Sequence, residues 1–202
     1  MTEQTPLELG YRMPAEWELH EGIWVSWPKD EITFPGGSLD AVETIYGSFI
    51  KAVQKKEKIF VLVNDADAKH HAKESLKKQN VGTNNVEFYS IPSVDVWTRD
   101  YAPTFVKNEE KIAAVKWKFN AWGGKYPALK YDNKAGMQIA EASDARIFKA
   151  DIVMERGVID SNGAGTVLTT EQCLLNKNRN PHLAKKEIEN YLMQYTGTES
   201  VI

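Results

Sequence analysis

The strongest constraint on the fold is a continuously apolar run, Lys58 to Asn64 (KIFVLVN), which helical and strand patterns follow. A short apolar run of this kind is typical of a buried strand. Residues 66–79 have a polar helical pattern, and Val86 to Ile91 (VEFYSI) alternates as a strand does until Pro92 interrupts it. Strands that alternate with helices in this way predict an α/β fold.

The same alternation continues through the rest of the chain. Ser38 is a candidate N-cap for a helix that ends near Lys56, and Asn180 is a candidate N-cap for the last helix, which Gly197 would stop. Further strands are predicted at residues 23–27, 104–107, 112–119, 146–155 and 158–169, and a further helix at residues 134–143. The segments 104–107 and 112–119 are expected to form a hairpin. The pattern recurs roughly every 60–70 residues, which indicates a modular architecture.

Composition excludes several functional classes. The chain has 202 residues and a net charge of −3, which argues against broad nucleic-acid binding. Its single cysteine, Cys173, excludes an internal disulfide and suits a reducing compartment. No secretory signal pattern and no apolar run of about 18 residues is present, so we expect a cytoplasmic protein without a membrane span.

One candidate site lies at Trp97-Thr98-Arg99-Asp100, after the strand at residues 86–91. Sites in α/β folds commonly form where a strand passes into a loop. The Asp100 carboxylate can accept two parallel hydrogen bonds from a planar guanidinium group. The structural alternative is a surface pair between Arg99 and Asp100, with Trp97 in the core.

Two further loop-rich segments are candidates. In residues 119–126 (FNAWGGKY), paired glycines permit a close backbone approach, and Trp122 beside them could line a ligand; the alternative is an ordinary glycine loop. Glu155 ends an apolar strand, where a carboxylate is either exposed to solvent or held for a purpose. The alternative there is a simple strand-end charge.

The chain offers poor candidates for a nucleophile or a metal site. Cys173 lies between apolar residues with no cationic neighbour in sequence, so it is expected to be a buried structural residue. His70, His71 and His182 are expected to be solvated, and His20 to be structural. No C-x-x-C or H-E-x-x-H spacing occurs, and residues 160–165 (DSNGAG) lack the EF-hand glutamate, so we predict a β-turn there and no metal site.

Four long motifs occur in the order that characterises one family. They are MPAEWELHEGIWVSWP, VWTRDYAP, FNAWGGKY and GAGTVLTTEQCLLNKNRNP. From Met13 to Ile202 the chain resembles the agmatine deiminase and bacterial peptidylarginine deiminase-like family. The resemblance implies a pentein fold, a five-bladed α/β propeller, of which residues 1–202 would form a partial domain of roughly three blades, truncated at its C-terminal end.

The resemblance also implies a reaction and a set of site residues. Agmatine would be hydrolysed to N-carbamoylputrescine and ammonia through a covalent cysteine intermediate, without a cofactor. Asp100 would grip the guanidinium group, Trp97 and Trp122 would line the substrate, and Glu155 would orient the catalytic histidine. The family's histidine and cysteine segments would lie beyond the end of this chain, so this chain alone is expected to be inactive.

Some features of the chain differ from the family pattern or leave its function open. Arg156 stands where the family commonly has glycine, and it could pair with Glu155 or crowd the site. Val201-Ile202 has the pattern of a new strand, and exposed sheet edges would favour aggregation or pairing. Family members often form homo-oligomers. The alternatives to an agmatine deiminase are a non-catalytic binding or assembly module, and a deiminase that acts on peptidyl arginine.

Overall fold

The computed structural model describes residues 4–30 and 33–202, and it confirms the α/β class. These residues divide into two compact units. The first unit comprises Leu19–Thr98, and the second comprises residues 4–18 together with Arg99–Ile202. Within the described ranges, no helix combines the length and the apolar composition that a membrane span requires.

The first unit contains a three-stranded parallel sheet in the order β1-β2-β3. Its strands are β1 (Gly22–Ser26), β2 (Lys58–Val63) and β3 (Val86–Ser90), and its helices are α1 (Leu39–Val53) and α2 (Ala66–Lys78). The apolar run at residues 58–64 forms the central strand, β2, and side chains cover both of its faces. On one face, Ile59, Val61 and Val63 pack with residues of α1 and α2.

The other face of this sheet carries aromatic side chains. The Phe60 ring on β2 lies 4.7 Å from the Trp24 ring on β1, and Trp24 lies 4.9 Å from Tyr89 on β3. Successive residues of a strand point to opposite faces, which separates Phe60 from the aliphatic core formed by Ile59 and Val61. The sheet therefore has one face covered by helices and one face built from rings.

One sequence prediction for this unit needs correction. Ser38 occupies the N-cap position of α1, but its hydroxyl donates to the Pro35 carbonyl 2.8 Å away and does not cap the helix. His71 is largely exposed, as predicted, and its Nε2 lies 2.7 Å from Oε1 of buried Glu43. Glu43 also accepts a hydrogen bond from the Trp27 indole at 3.2 Å, so this carboxylate joins strand and helices.

The second unit begins with a sheet of order β4-β5-β6. Strands β4 (Thr104–Lys107) and β5 (Ile112–Lys118) form the predicted antiparallel hairpin, and β6 (Arg146–Val153) pairs parallel with β5. Two helical segments precede β6: the short turn α4 (Ala121–Gly124) and helix α5 (Asp132–Ala142). A short helix, α3 (Thr98–Tyr101), and three 3-10 turns (Leu7–Leu9, Pro127–Tyr131 and Arg156–Val158) complete the connections.

The last sheet has the order β7-β8-β9. The hairpin of β7 (Asp160–Ser161) and β8 (Thr166–Leu168) confirms the turn predicted at residues 160–165, and β9 (Ser200–Val201) confirms the strand pattern near the chain end. Helices α6 (Glu171–Leu174) and α7 (Lys185–Thr196) lie between β8 and β9 in the sequence. The core of the second unit is built from buried side chains of both sheets and α7, among them Val115, Trp117, Ile152, Met154, Val167, Ile188 and Leu192.

Two predictions near the end of the chain were wrong. Asn180 does not cap the last helix, because α7 begins at Lys185 and the Ala184 amide donates to the Glu187 carboxylate at 2.7 Å. Asn180 is instead buried and bonds both the N–H and the carbonyl of Val153, each at 2.8 Å. Cys173 lies in α6 and is partly exposed rather than buried. Gly197 ends α7 in the left-handed conformation, as predicted.

Candidate functional site

The Asp100 carboxylate lies on α3 and is half-buried. Its Oδ2 accepts a hydrogen bond from the indole Nε1 of Trp122 at 3.2 Å, and the Gly157 amide also donates to the carboxylate. A Cβ atom at residue 157 would lie 2.3 Å from Oδ1 of Asp100, so only glycine fits there without displacing the carboxylate. Two donors from distant parts of the sequence thus fix the orientation of Asp100.

The electrostatic environment raises the pKa of Asp100 above its usual range. Burial is the main cause, and the negative charge of Glu155 adds to it. The Trp122 hydrogen bond and the positive charge of Arg99 oppose the increase in pKa without cancelling it. A carboxylate whose pKa is raised by burial and by a neighbouring negative charge is stabilised in its charged form by a bound cation.

Glu155 follows strand β6 and is 1% exposed. Its Oε1 accepts a hydrogen bond from Nε of Arg179 at 2.8 Å. Within the ranges that the structure describes, no group bonds its buried Oε2. The reading of Glu155 as a simple strand-end charge is therefore wrong, because a buried carboxylate oxygen without a partner is costly and calls for a ligand or a further group.

Arg179 is the site residue that sequence analysis missed. Its side chain is 8% exposed and bridges from Glu155 to Asn178, whose Oδ1 accepts from Nη1 of Arg179 at 2.6 Å. The Asn178 carbonyl in turn accepts from the side-chain amide of Asn120 at 2.9 Å. The only sequence signal was the polar run NKNRNP at residues 176–181, whose pairing with Glu155 is a long-range contact.

The Trp122 loop has a left-handed backbone. Trp122 has φ 53° and Gly123 has φ 79°, and the Asn120 side chain accepts a hydrogen bond from the Gly123 amide at 2.7 Å. A Cβ at residue 123 would meet the Asn178 and Arg179 side chains at 2.2 and 2.4 Å. A non-glycine residue with positive φ is strained, and such strain is concentrated at functional sites. These contacts distinguish the segment from an ordinary glycine loop.

Arg99 and Arg156 share one acceptor, which sequence analysis did not identify. Oε1 of Glu16 lies 3.1 Å from Nη1 of Arg99 and 3.0 Å from Nη2 of Arg156. Arg156 therefore does not pair with Glu155, which was one sequence-based expectation. The alternative of a surface pair between Arg99 and Asp100 with a core Trp97 is also wrong, because Arg99 bonds Glu16 and Trp97 is 52% exposed.

The predicted site residues are thus distributed unevenly. Asp100, Trp122 and Glu155 all lie in the second unit, where Trp122 bonds Asp100 and the charge of Glu155 acts on Asp100. Trp97 belongs to the first unit, so its place along the substrate stays a prediction. No group of three or more metal-ligating side chains occurs in residues 4–30 and 33–202.

Comparison with known proteins places this chain in a family. The family model described as Porphyromonas-type peptidyl-arginine deiminase matches residues 12–202. A Legionella pneumophila protein assigned as an agmatine deiminase is 41% identical over 198 residues, which cover 98% of this chain and 55% of that protein. A Mycoplasma capricolum protein with the same assignment is 37% identical over 203 residues, with coverage of 98% and 54%.

Solved structures give the same result. The agmatine deiminase of Enterococcus faecalis is 32% identical and superposes with a TM-score of 0.88, covering 100% of this chain and 55% of its own. A C. jejuni agmatine deiminase with substrate bound is 29% identical, with a TM-score of 0.80 and coverage of 95% and 55%. The chain spans about half the length of the curated relatives it matches. The family match over nearly the whole chain and the shared α/β fold show that this chain belongs to the Porphyromonas-type peptidyl-arginine deiminase family.

Proposed function

We propose that this chain provides the guanidinium-holding part of an enzyme that hydrolyses agmatine to N-carbamoylputrescine and ammonia. The observation that carries the proposal is the pair of carboxylates, Asp100 and Glu155, of which one is oriented by Trp122 and the other is buried with an open oxygen. A planar guanidinium cation can satisfy the Asp100 carboxylate with two parallel hydrogen bonds, which leaves the open oxygen of Glu155 for a further group of the enzyme. The names of the relatives favour agmatine as the substrate.

The residues would divide the chemistry between them. Asp100 would bind two guanidinium nitrogens, with Trp122 and Trp97 as the walls of the substrate channel. A cysteine thiolate would attack the guanidinium carbon, and the resulting tetrahedral adduct would expel ammonia to leave an amidino-thioether. Water would then add to that carbon and displace the thiolate, leaving the ureido product. These steps need no cofactor.

Glu155 would serve the proton transfers. Its open Oε2 is suited to accept a hydrogen bond from an imidazole N–H, which would hold a histidine in one tautomer. That histidine would protonate departing ammonia and then activate water. In this proposal the histidine and the cysteine lie outside residues 1–202, so this chain alone would bind the substrate but not turn it over.

The proposal also includes the fold of the complete enzyme, its cellular compartment and its oligomeric state. Three sheets of three strands each are consistent with roughly three blades of a five-bladed pentein propeller, and residues 1–202 would be a partial domain of it. We infer that the complete enzyme works in the cytoplasm and forms homo-oligomers. The single cysteine of residues 1–202 can form no disulfide within this part of the chain, which suits a reducing compartment.

Two other functions compete with this one. The description of the family favours a deiminase of peptidyl arginine, and the other alternative is a non-catalytic binding or assembly module. The carboxylate pair is compatible with the first competitor, because peptidyl arginine carries the same guanidinium group. Buried Glu155 weighs against the second, because a module without chemistry has no use for a costly buried carboxylate.

The deciding experiment uses protein made from its own gene. Intact-protein mass spectrometry comes first, followed by a colorimetric ureido assay with agmatine, free arginine and an arginine-containing peptide. A mass well above 22.8 kDa with turnover of agmatine supports the proposal. Turnover of the peptide alone replaces agmatine with peptidyl arginine, and a mass of 22.8 kDa with turnover makes Cys173 the residue to mutate.

A further inference from the structure

The backbone of Arg156 lies beside a site that is proposed to bind guanidinium, and its own side chain carries a guanidinium group. Arg156 is the residue between buried Glu155 and Gly157, whose amide donates to Asp100. The Arg156 backbone is therefore one peptide bond and one hydrogen bond away from the Asp100 carboxylate. An arginine side chain is long enough to cover that distance. Its guanidinium group could then pair with the carboxylates of the site in place of a substrate.

In the structure, Glu16 holds this guanidinium elsewhere. Nη2 of Arg156 lies 3.0 Å from Oε1 of Glu16, and Arg99 bonds the same oxygen. Among the described residues, Arg156 makes no hydrogen bond or ion pair with Asp100 or Glu155. The segment 4–18 thus provides an acceptor that competes with the site for Arg156.

The charges show that Arg156 depends on this acceptor. The Arg156 side chain is 21% exposed, and burial lowers its pKa while Glu16 raises it. Burial raises the pKa of Glu16, but Arg156 and Arg99 together outweigh this and hold it below its usual range. Asp160 attracts Arg156 more weakly than Glu16 does. A guanidinium with so little contact with water needs a carboxylate partner. Without Glu16 the candidates are Asp160, which already attracts Arg156, and the two carboxylates beside its backbone: Glu155, the preceding residue, and Asp100, which the following residue Gly157 bonds.

We propose that Glu16 is a positioning residue that keeps the Arg156 guanidinium out of the substrate site, so that the protein does not inhibit itself with its own side chain. This inference rests on the proposed function, because it takes Asp100 as the group that binds the substrate and Glu155 as the buried carboxylate that orients the histidine. It explains how the site tolerates an arginine between Glu155 and Gly157.

A mutant cycle tests the proposal through agmatine binding, measured by calorimetry on the full protein. Glu16→Ala is expected to weaken binding about tenfold or more, because the released Arg156 competes for the carboxylates. The variant Glu16→Ala/Arg156→Gly is expected to recover affinity to within about threefold of the wild type. If the double variant binds as weakly as Glu16→Ala, Glu16 acts in another way and the proposal is wrong.

A crystal structure of ligand-free Glu16→Ala provides a second test that does not need a substrate. The Arg156 guanidinium within hydrogen-bond distance of Asp100 or Glu155 supports the proposal, and a guanidinium turned to solvent or to Asp160 overturns it. A wild-type protein that neither binds nor turns over agmatine would refute the proposed function, while this structure would still decide where Arg156 goes without Glu16.

A matched control is available in the same unit. Glu171 forms an exposed ion pair with Lys185, remote in sequence from the carboxylates. Glu171→Ala removes a glutamate of the same kind and is expected to leave agmatine affinity unchanged. Equal melting temperatures of Glu16→Ala and Glu171→Ala would show that the affinity loss does not come from unfolding, since both glutamates are exposed.

Discussion

The indole N–H of Trp122 donates to Oδ2 of Asp100 at 3.2 Å, although the two residues are 22 positions apart in the sequence. Trp122 makes this contact from a left-handed backbone conformation, a strained state of the kind that is concentrated at functional sites. Phe119 and Tyr126 contact the ring edge-to-face at 5.2 and 5.9 Å and hold it there. Trp122 is thus a donor to the site as well as a wall of it.

Replacement of Trp122 by phenylalanine removes this donor and keeps a ring. Because a hydrogen bond to a charged carboxylate is worth about 1.5–3 kcal/mol, agmatine binding is expected to weaken by about tenfold or more. The pKa of Asp100 is expected to rise further, since the Trp122 hydrogen bond lowers it. Calorimetric titration and the pH dependence of binding measure the two effects. Trp17→Phe is the control, because Trp17 is 77% exposed.

Binding should depend on pH through Asp100. Its pKa is raised, mainly by burial, so the carboxylate becomes protonated at a higher pH than an ordinary aspartate. Agmatine affinity is expected to fall as the pH falls through this raised pKa, because a neutral carboxyl group cannot pair with a cation. Binding near that pH should release a fraction of a proton, which calorimetry in buffers of different ionisation enthalpy detects.

The same shift has a consequence for folding. The folded state holds the Asp100 proton more tightly than the unfolded chain, so this group's contribution to stability decreases as pH rises between the two pKa values. Asp100→Asn should remove this decrease together with most of the agmatine affinity. Affinity that persists in Asp100→Asn with an unchanged pH profile would show that another group controls binding.

A methyl group at residue 157 should disrupt the site with little effect on the core. The Cβ of alanine would lie 2.3 Å from Oδ1 of Asp100, and Gly157 itself is exposed. Gly157→Ala is therefore expected to weaken agmatine binding by about tenfold, while the melting temperature changes little. Gly82→Ala is the control, because a Cβ there meets nothing within 4 Å. Equal affinities of the two variants would contradict this account of Gly157.

Loss of Arg179 should destabilise the protein. Arg179→Met leaves Glu155 buried without its ionic partner, which is expected to cost about 3–5 kcal/mol in the free energy of unfolding. Chemical denaturation measures the loss. The double variant Glu155→Gln/Arg179→Met should recover part of it, because the buried charge is gone. Lys185→Met, which breaks an exposed pair with Glu171, should leave stability unchanged.

Local patterns predicted the secondary structure well where one periodicity dominated. The continuous apolar run predicted the buried strand β2, and the two strand patterns on either side of residues 108–110 predicted the hairpin. Both predictions succeeded because the signal for each element lies in its own residues. Capping was harder. Ser38 and Asn180 both had the right residue type, but Ser38 bonds Pro35 and Asn180 bonds the backbone of Val153. A polar side chain takes the partner that the tertiary structure offers.

The candidate site was only partly predictable for the same reason. The positions of Asp100 and Glu155 after strands and within the family motifs made both of them candidate site residues. Their partners could not be predicted, because Arg179 reaches Glu155 across 24 positions and Glu16 reaches Arg156 across 140. Such pairings depend on sheet topology, which a pattern of local periodicity does not contain.

A buried lysine gives a prediction that is independent of the site. Lys116 is 4% exposed on β5, and burial lowers the pKa of its amino group to about 8. Between about pH 8 and the ordinary value of 10.5, the unfolded chain keeps a proton that the folded state has lost, so stability rises with pH through this window. Lys116→Met should abolish that rise and increase the free energy of unfolding at neutral pH by at most about 3 kcal/mol, because a pKa difference of one corresponds to about 1.4 kcal/mol. The substitution also removes the hydrogen bonds that the amino group donates to the Trp117 carbonyl and to Asn133 at 3.0 Å, although Asn133 still receives the Phe119 amide at 2.8 Å. Denaturant titrations of both proteins at pH 7 and pH 10 measure the difference, and a stability that does not converge at the higher pH would show that Lys116 keeps its proton in the folded state.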